Sequence, residues 1–198
     1  MKARLIGALG ASILVAGALG ATAGAAGPPP PTATSGATVQ QLAANLKTPT
    51  SFAFGDGAVF EGDGGNSTSG PPNGGVFVIS NGTATELAGS PEFVGGLVFH
   101  GGTLYVSGGT VTGKHSAKWQ VLAWSGWNGT KFTKQKAIWT APKGLDGLNG
   151  LGFAGGKVYV GADVGLQDGN DHGPATLTPD LYEMFTVSPT GKGAKVFA

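Results

Sequence analysis

Apolar and polar residues alternate in short runs along most of the chain, and glycine-containing turns separate the runs. Three segments share one pattern: residues 51–61 (SFAFGDGAVFE), 96–106 (GLVFHGGTLYV) and 150–160 (GLGFAGGKVYV). Alternating apolar positions flank a turn of Gly with Asp, His or Ala in each of them. This alternation is typical of a strand buried on one face, and the glycine-rich centre is typical of a tight turn. Each segment is therefore predicted to be a β-hairpin.

Each predicted hairpin is followed by a polar loop and two more strand-like runs. These runs are Val76–Ile79 and Thr83–Leu87, then Trp119–Trp124 and Lys131–Trp139, then Leu181–Val187 and Ala194–Phe197. Four antiparallel strands in each unit of 45 to 54 residues are typical of a β-propeller blade. Helices are not expected, because glycines interrupt every apolar stripe. The predicted fold is an all-β propeller with about three four-stranded blades, over residues 51–88, 96–140 and 150–198.

The N-terminal end of the repeat region carries a strand without a blade of its own. Residues 38–43 (TVQQLA) match Thr83–Ala88 (TATELA), the last strand of the first blade, at an offset of 45. Propellers often use such a strand to complete the last blade, so we expect a closing strand here. A closed ring typically needs at least about four blades. We therefore expect an incomplete ring, as the N-terminal part of a longer, six-bladed propeller; the alternatives are self-association of copies that complete the ring, and an open stack of sheets.

The first residues read as a targeting segment. Lys2 and Arg4 precede an apolar stretch, Leu5–Gly20, and an A-x-A motif follows directly. This order predicts a secretory signal over residues 1–26, and the stretch is shorter than the ~20 apolar residues that a membrane anchor needs. Residues 27–37 form a Pro/Thr/Ser linker. The mature protein is predicted to be secreted or extracytoplasmic, with no membrane association after cleavage.

Composition excludes several classes of function. The chain has no cysteine, so disulfides, thiol chemistry and a lipoprotein anchor are excluded. Its formal net charge is +1, and loss of Lys2 and Arg4 with the signal leaves the mature chain near −1. Arg4 is the only arginine, so the mature protein lacks the forked donor that recognises phosphate and guanine. A nucleic-acid partner is not expected.

A propeller binds ligands on the loops that leave equivalent strand ends, and one such loop is rich in oxygen ligands. The loop after the third hairpin, residues 161–180, reads GADVGLQDGNDHGPATLTPD. Asp side chains crowded with glycine suggest calcium, with Asp163, Asp168 and Asp171 as candidate ligands. The alternative is a solvated turn cluster, for which Asp, Asn and Gly are also suited.

Three other residues are candidates for direct contact with a ligand. His115 and His172 fall in the predicted ligand-face loops, whereas His100 falls in a hairpin turn at the opposite end. Trp127 lies in a glycine-containing turn, where an exposed ring could stack on a sugar. For Trp124 and Trp139, at strand ends, core packing is the expected role.

The third hairpin resembles two groups of six-bladed propellers. Asn149-Gly150-Leu151-Gly152-Phe153, followed by Gly156-Lys157-Val158-Tyr159-Val160, is similar to the N-G-L-x-F … G-x-L-Y-V blade opening of gluconolactonase, calcium-dependent phosphotriesterase and NHL-type propellers. This resemblance implies that Asn149 helps to bind a divalent metal. The third blade also resembles soluble quinoprotein sugar dehydrogenases through its long Asp/Gly loop and the V-x-P-x-G turn at Val187–Gly191.

These observations lead to one functional hypothesis and an enzymatic alternative. We expect a secreted propeller domain that binds a small molecule or carbohydrate on one face, with calcium as the candidate cofactor. No catalytic set is complete in the sequence. The resemblances imply the alternative, a metal-dependent lactonase-like or esterase-like hydrolase or a quinoprotein sugar dehydrogenase that needs pyrroloquinoline quinone. A surface scaffold for a protein partner is the third class.

Overall fold

The regular structure of the described residues consists of β-strands. The computed structural model describes residues 39–44, 46–65, 74–113, 116–143, 145–164 and 181–197. Within these ranges there are twelve strands and no helix. No candidate for a membrane-spanning helix exists in the described part of the chain.

The strands form three four-stranded antiparallel sheets in which sequence neighbours pair. Sheet 1 contains β1 (Pro49–Gly55), β2 (Ala58–Asp63), β3 (Gly75–Ser80) and β4 (Thr83–Glu86). Sheet 2 contains β5 (Phe93–His100), β6 (Thr103–Gly113), β7 (Ser116–Trp127) and β8 (Phe132–Thr140). Sheet 3 contains β9 (Leu145–Ala154), β10 (Lys157–Val164), β11 (Leu181–Val187) and β12 (Ala194–Val196). The predicted all-β fold with about three four-stranded blades is confirmed.

The three predicted hairpins share the same register. Phe54 pairs with Val59, Phe99 with Leu104 and Phe153 with Val158. Both residues of each turn have positive φ: Asp56 and Gly57, Gly101 and Gly102, Gly155 and Gly156. Two consecutive positive φ angles are the geometry of the tight hairpin turn that matches the natural twist of two strands. The glycine-rich centres of the repeats are explained by this backbone requirement.

The sheets pack face to face through their first strands, β1 against β5 and β5 against β9. One apolar cluster joins sheets 1 and 2, with Phe60 and Val76 from sheet 1 and Leu97 and Val106 from sheet 2. A second cluster joins sheets 2 and 3; its buried members include Tyr105, Val121, Leu148, Val158 and Val160. We call the face of each sheet that is turned toward the preceding sheet its leading face, and the opposite one its trailing face. Sheet 2 therefore uses both of its faces.

The two ends of the sheets differ in their connections. The tight turns at residues 56–57, 101–102 and 155–156 lie at one end, the turn end. The first strand of each sheet begins at the other end, the loop end, where the second strand also finishes. Strands reach further toward the loop end than the sequence predicts. Much of the predicted loop from Ser107 to Lys118 is strand, because β6 runs to Gly113 and β7 begins at Ser116.

The predicted closing strand over residues 38–43 makes a smaller contact than expected. Residues 39–44 contain no strand, and Ala43 forms an isolated parallel bridge with Gly82, the residue before β4. This bridge lies at the outer strand of sheet 1. Closure of a ring by this segment stays a prediction.

Candidate functional site

Two of the predicted metal ligands meet at the loop end of sheet 3. Asn149 lies in β9 and Asp163 in β10, so Asp163 belongs to a strand rather than to the predicted loop over residues 161–180. The side-chain amide Nδ2 of Asn149 donates a hydrogen bond of 2.6 Å to Oδ1 of Asp163. A Cβ built on Gly147 would come within 2.6 Å of Oδ2 of Asp163, so a glycine leaves room for this carboxylate. Both side chains lie on the trailing face, because Leu148 and Ala162 point to sheet 2.

The loop end of sheet 1 is organised around a second carboxylate, Asp63. Its Oδ2 accepts hydrogen bonds from the backbone N–H groups of Lys47 at 3.2 Å and Thr48 at 3.0 Å, and its Oδ1 accepts one from Gly65 at 2.8 Å. Three backbone donors satisfy this nearly buried group. Asp63 therefore fixes the entry of the chain into β1, which is a structural role.

Glu61, two residues earlier in β2, is the least satisfied polar group of the described chain. Its side chain is 0 % exposed, and neither carboxylate oxygen has a hydrogen-bond partner among the described residues. Burial, and to a smaller extent the charge of Asp63, raises the pKa of Glu61 from 4.5 to about 7. Glu61 lies between Phe52 and Phe77 in the register, on the leading face of sheet 1.

The sequence did not single out Glu61 or Asp63, although comparison of the repeats contains the signal. Glu61 occupies the position of Val106 in the second repeat and Val160 in the third. Both valines are buried in interfaces with the preceding sheet. A carboxylate at a position that is otherwise apolar marks the first repeat as different.

Trp127, a predicted ligand contact, lies at the turn end, away from Asn149 and Asp163. Trp127 ends β7 at the turn end, whereas Ser116 begins the same 12-residue strand at the loop end. An extended strand of that length separates the two by about 35 Å. The ring of Trp127 is half-buried, edge-on to Phe60 at 5.0 Å and tilted against Phe132 at 4.9 Å. It joins sheets 1 and 2 and does not form a platform beside the candidate metal ligands.

A different aromatic residue lies at the loop end. Trp119 is half-buried near the start of β7, and its ring centroid is 5.9 Å from that of Phe93. A Cβ on Gly109 would come within 2.7 Å of the indole, so a glycine makes room for the ring. Trp119 packs on the cluster that contains Leu148, the residue before Asn149. It lies at the loop end, but on the other side of sheet 3 from the side chains of Asn149 and Asp163.

The remaining candidates lie outside the described residues: His115, His172, Asp168 and Asp171. Within the described ranges, no three His, Asp or Glu side chains come together as a metal site would require. His100, at the turn end, stacks on Phe153 of sheet 3 with 3.9 Å between the ring centroids. Its role is to pack between sheets.

Comparison with known proteins defines the class through the fold. No protein-family profile and no curated protein matches the sequence. Among solved structures, the chain is similar to a proposed oxidoreductase (glucose dehydrogenase) of Thermus thermophilus. The TM-score is 0.51 at 16 % sequence identity, over 77 % of this chain and 47 % of that chain. The chain spans about half the length of the solved protein that it matches, and at this identity the likeness concerns the fold alone. The class is an all-β, propeller-like protein.

Proposed function

We propose that the chain is a secreted propeller domain that binds a small polar molecule of the carbohydrate class at the loop end of its sheets, next to a calcium ion held by Asn149 and Asp163. The observation that carries this proposal is the 2.6 Å contact between the two side chains, which brings together two of the predicted ligands from different strands. Carboxylate and amide oxygens are the ligands that calcium prefers. Asp168 and Asp171 stay candidates for further ligands.

The trailing face of sheet 3 is suited to the proposed metal. Asp163 is a partly exposed carboxylate, and the glycine at position 147 makes room for its Oδ2. Asn149 is exposed, so rotation of its amide can present Oδ1 toward an ion near Asp163. Bound calcium would supply positive charge that attracts sugar hydroxyl oxygens.

The fold similarity to a proposed glucose dehydrogenase supports a sugar as the ligand class. The basic start and the apolar stretch of residues 1–20 support export, and this segment lies outside the described residues. A quinone-dependent sugar dehydrogenase is the enzymatic form of the same proposal, and it would oxidise glucose only after pyrroloquinoline quinone is added.

Calcium and sugar titrations test the proposal. Isothermal titration should detect calcium binding to the parent protein, and Asp163→Asn should weaken it at least tenfold. Asp56→Asn is the matched control, because it makes the same chemical change in the hairpin turn at the opposite end of sheet 1. Glucose and related sugars should raise the melting temperature of the calcium-loaded protein. Equal calcium affinity in the two variants would overturn the metal site, and a panel of sugars without any shift would overturn the ligand class.

A further inference from the structure

The leading face of sheet 1 carries the same types of residue as the leading faces of sheets 2 and 3, but here they are exposed. Phe52 corresponds in the repeat to Leu97, and Phe54 corresponds to Phe99. Leu97 and Phe99 pack in the cluster between sheets 1 and 2. In sheet 1 the equivalent Phe52 is 48 % exposed and Phe54 is 67 % exposed. This face carries the residues of a sheet interface without a sheet against it in the described chain.

The trailing face of sheet 3 is the complementary surface. Tyr159 corresponds to Phe60 and Tyr105, which lie on the trailing faces of sheets 1 and 2. Met184, whose partner in β10 is Gly161, corresponds to the buried Val121, whose partner in β6 is Ser107. Met184 is 42 % exposed on sheet 3. The trailing face of sheet 3 thus presents the same types of residue that sheets 1 and 2 use to pack on the sheet that follows them.

One aromatic contact recurs at both internal interfaces. Phe60 of sheet 1 stacks on Phe99 of sheet 2, with 5.9 Å between centroids and 5° between planes. Tyr105 of sheet 2 stacks on Phe153 of sheet 3, at 5.5 Å and 30°. Each pair joins the same two repeat positions. Continuing the series, Tyr159 of sheet 3 would stack on a phenylalanine at the repeat position of Phe99 and Phe153. Phe54 of sheet 1 is the residue at that position that has no such partner among the described contacts.

A second contact recurs beside the first. The ring of Phe99 lies against Gly55, because a Cβ added there would clash with ring atoms of Phe99. Phe153 stacks on His100, the repeat equivalent of Gly55. The corresponding residue of sheet 3 is Ala154, whose side chain is exposed and small enough to lie under an aromatic ring. Phe54 is therefore predicted to lie over Ala154.

From this recurrence we infer that the leading face of sheet 1 docks on the trailing face of sheet 3 in a second copy of the chain, so that two copies close a six-bladed ring. The interface joins two different surfaces, and such contacts form a closed ring when the rotation per copy closes. Two copies of three sheets give six blades, within the usual range of about four to eight, whereas three copies would give nine.

The docked face of sheet 3 also carries Asn149 and Asp163, so the proposed calcium site would lie at the loop end of the interface between the two copies. Glu61 lies on the docked face of sheet 1 but is already fully buried within its own copy. The apolar docking itself does not depend on the ligand of the proposed function.

The first test measures the solution mass of the full chain by light scattering over a wide concentration range. A dimer is expected for the parent, with twice the mass found under denaturing conditions. Phe54→Asp should give monomers, because it introduces a charge into the apolar contact. Val111→Asp, the same type of change at an exposed valine near the loop end of β6, should leave the dimer intact. A monomeric parent, a larger assembly, or a dimeric Phe54→Asp would overturn the inference. Circular dichroism should show the parental β-sheet spectrum for both variants.

A cross-linking experiment tests the direction of docking. The natural chain has no cysteine, so Phe54→Cys and Ala154→Cys each carry a single thiol. A mixture of the two variants under mild oxidation should give a covalent dimer on a non-reducing gel. Neither variant alone should do so, because position 54 of one copy faces position 154 of the other copy and not its position 54. Covalent dimers of Phe54→Cys alone would show a face-to-face arrangement and overturn the head-to-tail ring.

Discussion

The hydroxyl of Ser107 in β6 donates a hydrogen bond of 2.6 Å to the main-chain carbonyl of Asn149 in β9. This bond joins sheets 2 and 3 directly beside the candidate metal ligands, and Ser107 itself is fully buried. The packing between sheets and the position of Asn149 are therefore coupled. A change at Ser107 should alter both the stability of the protein and its affinity for calcium.

Replacing Ser107 with alanine should lower the free energy of unfolding by about 1 to 2 kcal/mol, because the hydrogen bond from the buried hydroxyl to the carbonyl of Asn149 is lost. Calcium affinity should fall together with stability. Urea unfolding and calcium titration measure the two effects. Ser80→Ala, at the exposed end of β3, is the matched control and should change neither quantity. Equal losses in the two variants would contradict the assigned role of the Ser107 bond.

Gly96→Ala should destabilise the contact between the first strands of sheets 2 and 3. A Cβ at Gly96 would lie 2.6 Å from the backbone nitrogen of Leu151 and 2.8 Å from Cα of Gly150, and backbone atoms cannot move aside cheaply. We expect a loss of about 1 to 3 kcal/mol in the free energy of unfolding. Gly152→Ala is the control, because a Cβ there meets no atom of the described chain within 4 Å. Thermal denaturation of the two variants side by side measures the difference.

Phe60→Ala should cost about 3 to 5 kcal/mol of stability. Phe60 is fully buried and contacts the rings of Phe99, Trp127 and Phe132, so its removal leaves a cavity between sheets 1 and 2. The tryptophan emission should also shift to longer wavelength, because Trp127 loses its edge-on neighbour. Val111→Ala, at an exposed position, should stay within about 0.5 kcal/mol of the parent. An unchanged emission spectrum would show that Trp127 does not pack on Phe60 in solution.

The stability of the protein should fall as the pH rises from 4.5 to 7. Burial, helped by Asp63, raises the pKa of Glu61 to about 7, so the folded state holds this proton more tightly than the unfolded state. The favourable contribution of the protonated carboxyl is complete below pH 4.5 and is lost as the pH passes through the folded-state value. The expected change in the free energy of unfolding is at most about 3 kcal/mol.

Glu61→Gln removes the titrating group and should abolish this slope. Glu86→Gln changes an exposed glutamate in β4 of the same sheet and should keep the slope of the parent. Urea unfolding at several pH values from acid to neutral makes the comparison. If the Glu61→Gln protein kept the full pH dependence, another group would be responsible for it.

Local patterns made the hairpins predictable, because both of their signals are local in the chain. Alternation specifies which face of a strand is buried, and the turn residues supply the positive φ angles that Asp56 and Gly57 adopt. Strand ends were less predictable. Gly108 and Gly109 look like loop residues, but they lie in β6. They are glycines because Pro91 and Trp119 occupy the space that their side chains would need.

The candidate site was only partly predictable, since contacts between distant segments decide it. Asn149 and Asp163, two of the predicted metal ligands, come together through the pairing of β9 with β10, and metal binding by them stays a prediction. Trp127 looked exposed because its turn contains glycine, yet Phe60, from a different sheet, covers one edge of its ring. Glu61 does not interrupt the strand pattern of β2, so the pattern alone does not show that this carboxylate is buried. Its lack of a hydrogen-bond partner among the described residues becomes visible only when the neighbouring strands are in place.

The tight turns at residues 56–57, 101–102 and 155–156 give the molecule a permissive end. A Cβ at Gly57, Gly101 or Gly156 would meet no atom of the described chain within 4 Å, so these bends carry no packing. Exposed loop tips of this kind tolerate insertions best. Affinity tags or fluorescent labels inserted there would hold the protein on a sensor surface with its opposite, carboxylate-bearing rim free in solution.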